Sequence, residues 1–249
     1  MPPDASTNTC DWDKFQGRAP KTGWDPHRFF RWRCYQDYGT GVAGDLFVHL
    51  FSGLHFITGS QGPTRVFSTG GLRFWKDGRD VPDVLFGLYD YPETANHPAF
   101  NLILRVNFVS GAEESSGFRF TGSDGIMNVG KNVTLSKVSA PKEPGFSIGT
   151  FTQAEQQDFM KAYRAKYGEA RAGAGSLRLN DEQAFDPPPR YSDHLDHHIN
   201  FAQAVRSRKP VIEDAVFGFR AAGPALLSNI SYFENRLVEW DPVAMRMKA

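Results

Sequence analysis

Residues 64–138 constrain the fold more than any other part of the sequence, because one strand-like segment follows another there without a helical period. In residues 101–109, Leu104 and Val106 alternate with Arg105 and Asn107, which is typical of a strand with one buried face. Consecutive strands without intervening helices pair antiparallel. We therefore predict an antiparallel sheet formed by residues 65–69, 71–75, 84–89, 101–109, 117–120, 125–129 and 133–137.

Helical patterns lie on both sides of this strand region. Helices are predicted over residues 42–58, 152–167, 192–207 and 213–236. Thr152 and Glu155 form a capping box at the start of the second, and Pro224 is expected to kink or divide the last. Residues 168–176 and 186–189 are predicted surface loops. The whole indicates an α+β fold with helices packed on one face of an open, mainly antiparallel sheet.

The second face of the sheet is predicted to be an oligomer interface. Residues 84–91 are almost continuously apolar, so an uncovered sheet would expose a large patch there. We therefore expect another copy of the chain to cover this face. Residues 1–249 are expected to form a single domain.

Composition excludes several classes of partner. The chain carries 28 basic and 28 acidic residues, so no net charge draws it to nucleic acid or to an anionic membrane. It lacks both a membrane-spanning apolar run and a secretory signal. We expect a cytoplasmic protein that binds neither nucleic acid nor membrane. Cys10 and Cys34 lack metal-site spacing and are expected to be unpaired thiols.

Asp45 and His49 are the first candidate catalytic residues. They lie four positions apart in an otherwise apolar helix, so both side chains should leave the same face of an interior helix. A histidine beside a carboxylate can accept a proton from a hydroxyl near neutral pH. The alternative is a core histidine whose hydrogen bonding the aspartate satisfies, and spacing alone leaves both interpretations open.

The glycine run Gly39 to Gly44 fits the pattern of a dinucleotide-binding turn, Gly-x-Gly-x-x-Gly. That turn requires a buried apolar strand before it and an acidic residue about 20 positions later. Here the preceding residues 31–38 are polar and charged, and position 64 is Thr64. We interpret the run as a closely packed helix start, and we expect this chain alone to bind no cofactor.

Three segments resemble the substrate domain of the glucose-fructose oxidoreductase / inositol dehydrogenase family. Residues 39–49 are similar to its signature Gly-Gly-Gly-x-x-x-Asp-x-x-x-His, with Thr40 in place of the middle glycine. Residues 120–127 resemble its strand-turn-strand segment. Residues 198–210, followed by 213–218, are similar to its closing helix and the helix after it.

The resemblance implies a substrate-binding and oligomerisation domain of an NAD(P)-dependent sugar or polyol oxidoreductase. In that family, the histidine matching His49 exchanges the hydroxyl proton, and the aspartate matching Asp45 orients the substrate. A nucleotide-binding domain holds NAD or NADP and supplies a catalytic lysine. We find neither that domain's phosphate-binding turn nor its lysine segment in this sequence, so we expect the chain alone to be inactive.

Two alternative functions remain open. One is a free-standing carbohydrate-binding protein, or the partner of a separate nucleotide-binding subunit, without redox activity. The other is a cofactor-independent sugar lyase or hydrolase that uses His49 and Asp45. The sequence upstream of Met1 in the gene would discriminate between these functions and an oxidoreductase.

Other residues have the chemical character of ligand-binding groups, and ordinary packing is the alternative for each. Trp32, Arg33 and Tyr38 precede the Asp45/His49 helix and are candidate sugar-binding residues, since aromatic rings stack on sugars and arginine binds hydroxyls or carboxylates. His194 and His198 have the spacing of two metal ligands on one helix face, but no third ligand accompanies them. We expect no metal there.

Overall fold

A computed structural model describes residues 1–109, 111, 116–122, 125–137, 146–168 and 180–248. The chain forms two compact units, Met1–Glu113 with Asp196–Ala249, and Glu114–Leu195. Helices and two open antiparallel sheets confirm the predicted α+β class. The single-domain assignment stays a prediction.

The first unit contains the candidate catalytic helix and a five-stranded sheet. Its strands are ordered β3-β2-β1-β8-β9, and every neighbouring pair is antiparallel. Its elements are α1 (Trp12–Gln16), α2 (Pro26–Phe30), a 3₁₀ turn (Trp32–Cys34), a π-helical turn (Ala43–Phe47), α3 (Val48–Thr58), β1 (Arg65–Gly71), β2 (Val84–Tyr91), β3 (Phe100–Asn107), most of α5 (Asp193–Ser207), α6 (Ala215–Glu234), β8 (Val238–Asp241) and β9 (Arg246–Met247).

Helices α3 and α6 pack on the inner face of this sheet around Tyr89. The rings of Phe51 and Tyr89 meet edge to face with centroids 4.9 Å apart. The Tyr89 hydroxyl lies 2.7 Å from Ser228 Oγ, whose own proton is donated to the Pro224 carbonyl at 2.8 Å. Helix α6 continues through Pro224, so this residue does not divide the helix, and the predicted kink stays a prediction.

The connection between β1 and β2 is organised by Asp83, which is 1% exposed. Its carboxylate accepts hydrogen bonds from the backbone N–H groups of Arg73 at 2.7 Å, Phe74 at 2.9 Å and Trp75 at 3.1 Å. Burial raises the pKa of Asp83, but these donors outweigh burial and hold the pKa below its ordinary value. Backbone groups that bond Asp83 cannot pair with a strand, so the strand predicted over 71–75 is wrong beyond Gly71.

The outer face of the sheet carries an apolar row beside a polar one. Phe67, Leu88 and Ile103 are paired across β1, β2 and β3 and form the apolar row. Leu88 is 48% exposed and Ile103 is 69% exposed. In the polar row, the Asp90 carboxylate accepts a hydrogen bond from the Asn101 side chain at 2.6 Å. It also forms an ion pair with Arg65 at 3.3 Å.

The second unit contains a four-stranded antiparallel sheet in the order β4-β5-β6-β7. Its elements are β4 (Phe118–Thr121), β5 (Gly125–Val129), β6 (Val133–Lys137), a 3₁₀ turn (Phe146–Thr150), α4 (Gln153–Tyr167) and β7 (Asn180–Phe185). The Thr152/Glu155 capping box is confirmed at the start of α4. The predicted loop 168–176 lies outside the described residues except for Gly168, and β7 was not predicted.

Two further expectations concern the whole chain. Cys10 and Cys34 are free thiols, as predicted. Among the residues that the structure describes, none of the helices combines the length and the apolar character that crossing a membrane requires.

Candidate functional site

The glycine run connects a 3₁₀ turn to the candidate catalytic helix. The 3₁₀ turn ends at Cys34 and no strand lies between it and Gly39. A Cβ on Gly39 would lie 3.0 Å from the Arg33 Cα atom, so the two backbone segments are in close contact. A dinucleotide turn requires a strand where this chain has a 3₁₀ turn. The run therefore fits a closely packed helix start.

The first turn of the helix is π-helical and is held by a distant residue. The Asn229 side chain on α6 donates from Nδ2 to the Thr40 carbonyl at 2.6 Å. The same carbonyl accepts the Gly44 N–H at 3.3 Å. A Cβ on Gly44 would overlap the Thr40 side chain, so threonine at position 40 requires glycine at position 44. Single π turns within α-helices occur often at functional sites.

Asp45 and His49 both lie at solvent-accessible positions of this helix. Asp45 is within the π turn with 29% of its side chain exposed, and His49 is an exposed residue in the first turn of α3. Asp45 forms an ion pair with Arg33, whose Nε atom lies 3.4 Å from Oδ2. Within the described part of the chain, no hydrogen bond joins Asp45 to His49. The aspartate is therefore oriented by an arginine, while the histidine ring faces solvent.

The prediction of an interior helix is correct on one side of α3 and wrong on the other. Phe51 and Leu54 are buried against the sheet. Phe56 is 61% exposed and Ile57 is 41% exposed, so α3 is partly a surface helix. Exposure of this helix is what makes His49 accessible to a ligand.

Trp32 and Arg33 are brought to the site, whereas Tyr38 packs elsewhere. The Arg33 guanidinium carbon lies 4.2 Å from the centroid of the Trp32 ring, within the range of a cation–π interaction. The Tyr38 ring packs against Phe15 at 5.0 Å and Trp12 at 6.1 Å. Tyr38 thus contributes to the aromatic cluster of the N-terminal segment, and Trp32 with Arg33 lies beside Asp45.

A second histidine of α3, His55, is 2% exposed and serves the core. Its Nε2 atom lies 2.9 Å from the hydroxyl of Tyr91, and its ring packs on Phe51. Burial lowers the pKa of His55 to about 4, with further contributions from Arg220 and His97. Its Nδ1 atom has no hydrogen-bond partner among the described residues. His55 is neutral near pH 7 and belongs to packing.

The His194 region shows no metal geometry. His194 Nδ1 lies 2.8 Å from the carboxylate of Asp193, its neighbour in sequence. Across the residues described, no three His, Cys, Asp or Glu side chains converge as metal ligands would.

Sequence reasoning missed Asn229, whose side chain bonds the start of the candidate catalytic helix from 189 positions away. The sequence feature that pointed to this contact was Thr40, which stands where the signature that residues 39–49 resemble has glycine. It indicated an altered turn but not the partner that holds it.

No protein-family model matches the chain, and no curated protein matches it by sequence. Its fold is similar to solved oxidoreductases. An NAD-binding oxidoreductase from Klebsiella pneumoniae aligns with 88% of this chain and 55% of its own, at 15% identity and a TM-score of 0.51. The aldose-aldose oxidoreductase from Caulobacter crescentus, solved with glycerol, aligns with 88% of this chain and 52% of its own, at 13% identity and a TM-score of 0.53. An oxidoreductase from Agrobacterium radiobacter, solved with NAD+, L-tartaric acid and magnesium, aligns with 90% of this chain and 55% of its own, at 13% identity and a TM-score of 0.52.

The chain spans about half the length of these proteins, which is 52% to 55% of each. At such low identity the similarity establishes the fold and no activity. The α+β fold implied by the resemblance of the three sequence segments is confirmed, and this chain has the fold of one part of these oxidoreductases.

Proposed function

We propose that this chain is the substrate-binding and oligomerisation part of an NAD(P)-dependent oxidoreductase of sugars or polyols. The observation that carries the proposal is the arrangement of an exposed His49 one turn after an arginine-paired Asp45 at a π-helical turn. The fold shared with oxidoreductases and the motif resemblance support it. Glycerol and L-tartaric acid, present in two of the similar structures, are both polyhydroxy compounds, and we propose ligands of that class for this chain.

The proposed role of His49 follows from the chemistry of alcohol oxidation. An alcohol that becomes a carbonyl releases a hydride and a proton, and the proton needs a base next to the hydroxyl. Accepting the hydride is the chemistry that NAD(P) supplies when bound, on a separate nucleotide-binding domain. His49 accepts the hydroxyl proton at a ring nitrogen. Asp45 and Arg33 bind neighbouring polar groups of the substrate and so orient the reacting hydroxyl.

Ligand binding to the 249-residue chain tests the substrate half of this proposal without cofactor. The chain is labelled with ¹³C-histidine, and the His49 signal is assigned from its loss in a His49→Gln variant. Glycerol, D-glucitol, D-glucose and the acids D-gluconate and D-glucuronate are then titrated. We expect at least one of them to shift the His49 signal, while the signal of the exposed His194 stays in place as the internal control.

The alternatives give different results. If none of these compounds moves the His49 signal, the proposed function is wrong. If a sugar is cleaved or dehydrated by the chain without cofactor, and His49→Gln abolishes this, the chain is a lyase or hydrolase instead. Tight binding of NAD(P) to this chain alone would contradict our assignment of the glycine run.

A further inference from the structure

Arg33 is held in place before any ligand binds by three separate contacts, one to its backbone and two to its side chain. Gly39 packs against the Arg33 backbone, since a Cβ there would lie 3.0 Å from the Arg33 Cα atom. The guanidinium lies over the Trp32 ring at 4.2 Å. Its Nε atom lies 3.4 Å from the Asp45 carboxylate. An arginine with its position fixed in advance loses less conformational entropy when it binds a ligand.

The guanidinium also retains its capacity to donate hydrogen bonds. The side chain of Arg33 is 63% exposed, and no hydrogen bond from its nitrogens reaches any residue that the structure describes. An exposed ion pair of this kind contributes only about 0–1 kcal/mol to stability. Asp45 therefore orients the guanidinium and leaves its N–H groups available to a ligand. A planar guanidinium carries five N–H donors, and two parallel ones match the two oxygens of a carboxylate.

Arg33 and His49 are within reach of one small ligand. His49 follows Asp45 by four residues, from the π turn into the first turn of α3, which is a rise of about 6 Å along the helix. Arg33 is in contact with Asp45. A molecule of a few carbon atoms can therefore place one end on Arg33 and a hydroxyl beside His49.

We propose that the substrates of this site are polyhydroxy acids, with the carboxylate bound by Arg33 and the reacting hydroxyl placed at His49. The proposal rests on the proposed function and narrows its substrate class from neutral sugars and polyols to sugar acids. Asp45 keeps the guanidinium in position and accepts a hydrogen bond from a second hydroxyl.

Matched pairs of ligands test this assignment on the same chain. D-Gluconate is compared with D-glucitol, and D-glucuronate with D-glucose, since each pair differs in the carboxylate. Dissociation constants come from the ¹³C-histidine signal of His49 or from calorimetry. We expect each acid to bind at least about tenfold more tightly than its neutral counterpart, because hydrogen bonds to charged groups are the stronger ones.

Two variants assign that preference to one side chain. Arg33→Gln should reduce the acid preference to about twofold or less, with neutral ligands little changed. Arg31→Gln is the matched control, because Arg31 is an exposed arginine two positions away that forms no ion pair within the described residues. It should retain the preference. Unfolding midpoints of both variants verify that the fold is intact.

The possible outcomes distinguish failure of this inference from failure of the proposed function. Neutral ligands that shift His49 as strongly as the acids do would overturn the inference and leave the proposed function standing. Equal losses in Arg33→Gln and Arg31→Gln would also overturn it, because general positive charge would then explain the preference. Failure of all four ligands and of glycerol to shift His49 would remove both.

Discussion

His49 and His55 are two histidines of one helix with opposite surroundings. His49 faces solvent beside polar groups, whereas His55 is 2% exposed and bonded to the Tyr91 hydroxyl. Burial also raises the pKa of Tyr91 well above its ordinary value, so the phenol stays protonated and the pair is neutral. His49 is therefore accessible to solvent, whereas His55 is part of the core.

Acid should destabilise the fold through His55. Its pKa is about 4 in the folded protein and 6.5 ordinarily, so between these values the unfolded chain binds a proton that the folded chain does not. Stability is therefore lost as the pH falls from about 6.5 to about 4. At about 1.4 kcal/mol per pH unit, the loss is on the order of 3 kcal/mol. Urea unfolding between pH 7 and pH 4 measures it.

A His55→Gln variant should show a smaller loss of stability over this pH range, although it is less stable at pH 7. His194→Gln is the control, because His194 is exposed and its removal leaves the burial of His55 unchanged. Parallel pH profiles for the wild type and His55→Gln would contradict the prediction.

Single residues could be assigned from sequence where their partners are close in the chain. The bonds between Thr152 and Glu155 span three positions, so the pattern alone predicted the capping box. Asp45 was assigned to the neighbourhood of His49 by the same logic. Its pairing with Arg33, twelve positions earlier, depends on the turn between them, which no local periodicity describes.

Among the elements, the start of the candidate catalytic helix shows most clearly which features depend on local sequence and which depend on tertiary contacts. An almost continuous apolar segment predicted a helix over 42–58, and a helix is present. The π-helical turn was not predicted, because it depends on Thr40, Gly44 and the distant Asn229. The strand predicted over 71–75 is wrong for a related reason, since Asp83 removes its backbone donors from the sheet.

The contact between Thr40 and Gly44 gives a prediction for this helix. Gly44→Ala should cost about 1–3 kcal/mol of unfolding free energy, because the new Cβ overlaps the Thr40 side chain. In a Thr40→Gly background the same substitution should be neutral or stabilising, since alanine is favoured over glycine in helices by about 1 kcal/mol. Urea unfolding of the four proteins forms a double-mutant cycle.

The cycle is informative in either direction. A coupling energy near zero would mean that Gly44 is required for another reason, such as the helix backbone itself. The His49 signal in the double variant then reports whether the π turn also controls the candidate site.

At the scale of the whole molecule, the outer face of the five-stranded sheet supports the proposed oligomer. Its apolar row of Phe67, Leu88 and Ile103 lies beside the polar row that contains Asp90. An apolar centre with a polar border is typical of protein interfaces. In a two-fold pair the same patch meets itself, so apolar rows from two copies would cover each other.

Ile103→Lys should disrupt this interface. A charge placed in the centre of two facing apolar rows loses its hydration in both copies, so we expect dimers or larger assemblies to dissociate to monomers. Light scattering after size-exclusion chromatography measures the mass. Phe74→Lys is the matched control, because Phe74 is an apolar side chain of similar exposure, 61% against 69% for Ile103, outside the sheet.

A wild-type chain that is monomeric at all concentrations would contradict the proposed oligomer. Equal dissociation by Phe74→Lys would instead place the interface elsewhere.

The architecture was partly predictable at this scale. Local alternation predicted most strands, but β8 was missed because Val238–Asp241 is short and joins the sheet through β1, which lies far away in sequence.

The π-helical turn also has a consequence for the phase of the helix. Upstream, the chain is fixed by Gly39 against Arg33 and by Asn229 on Thr40; downstream, α3 is fixed by Phe51 on Tyr89. A π turn contains one residue more than an α turn, and one residue rotates an α-helix by about 100°. The extra residue lets both ends keep their anchors. Without it, either one of these anchors is lost or the arginine side of the site is rotated by about 100° relative to the histidine, so the length of this turn links the geometry of the site to the packing of the helix.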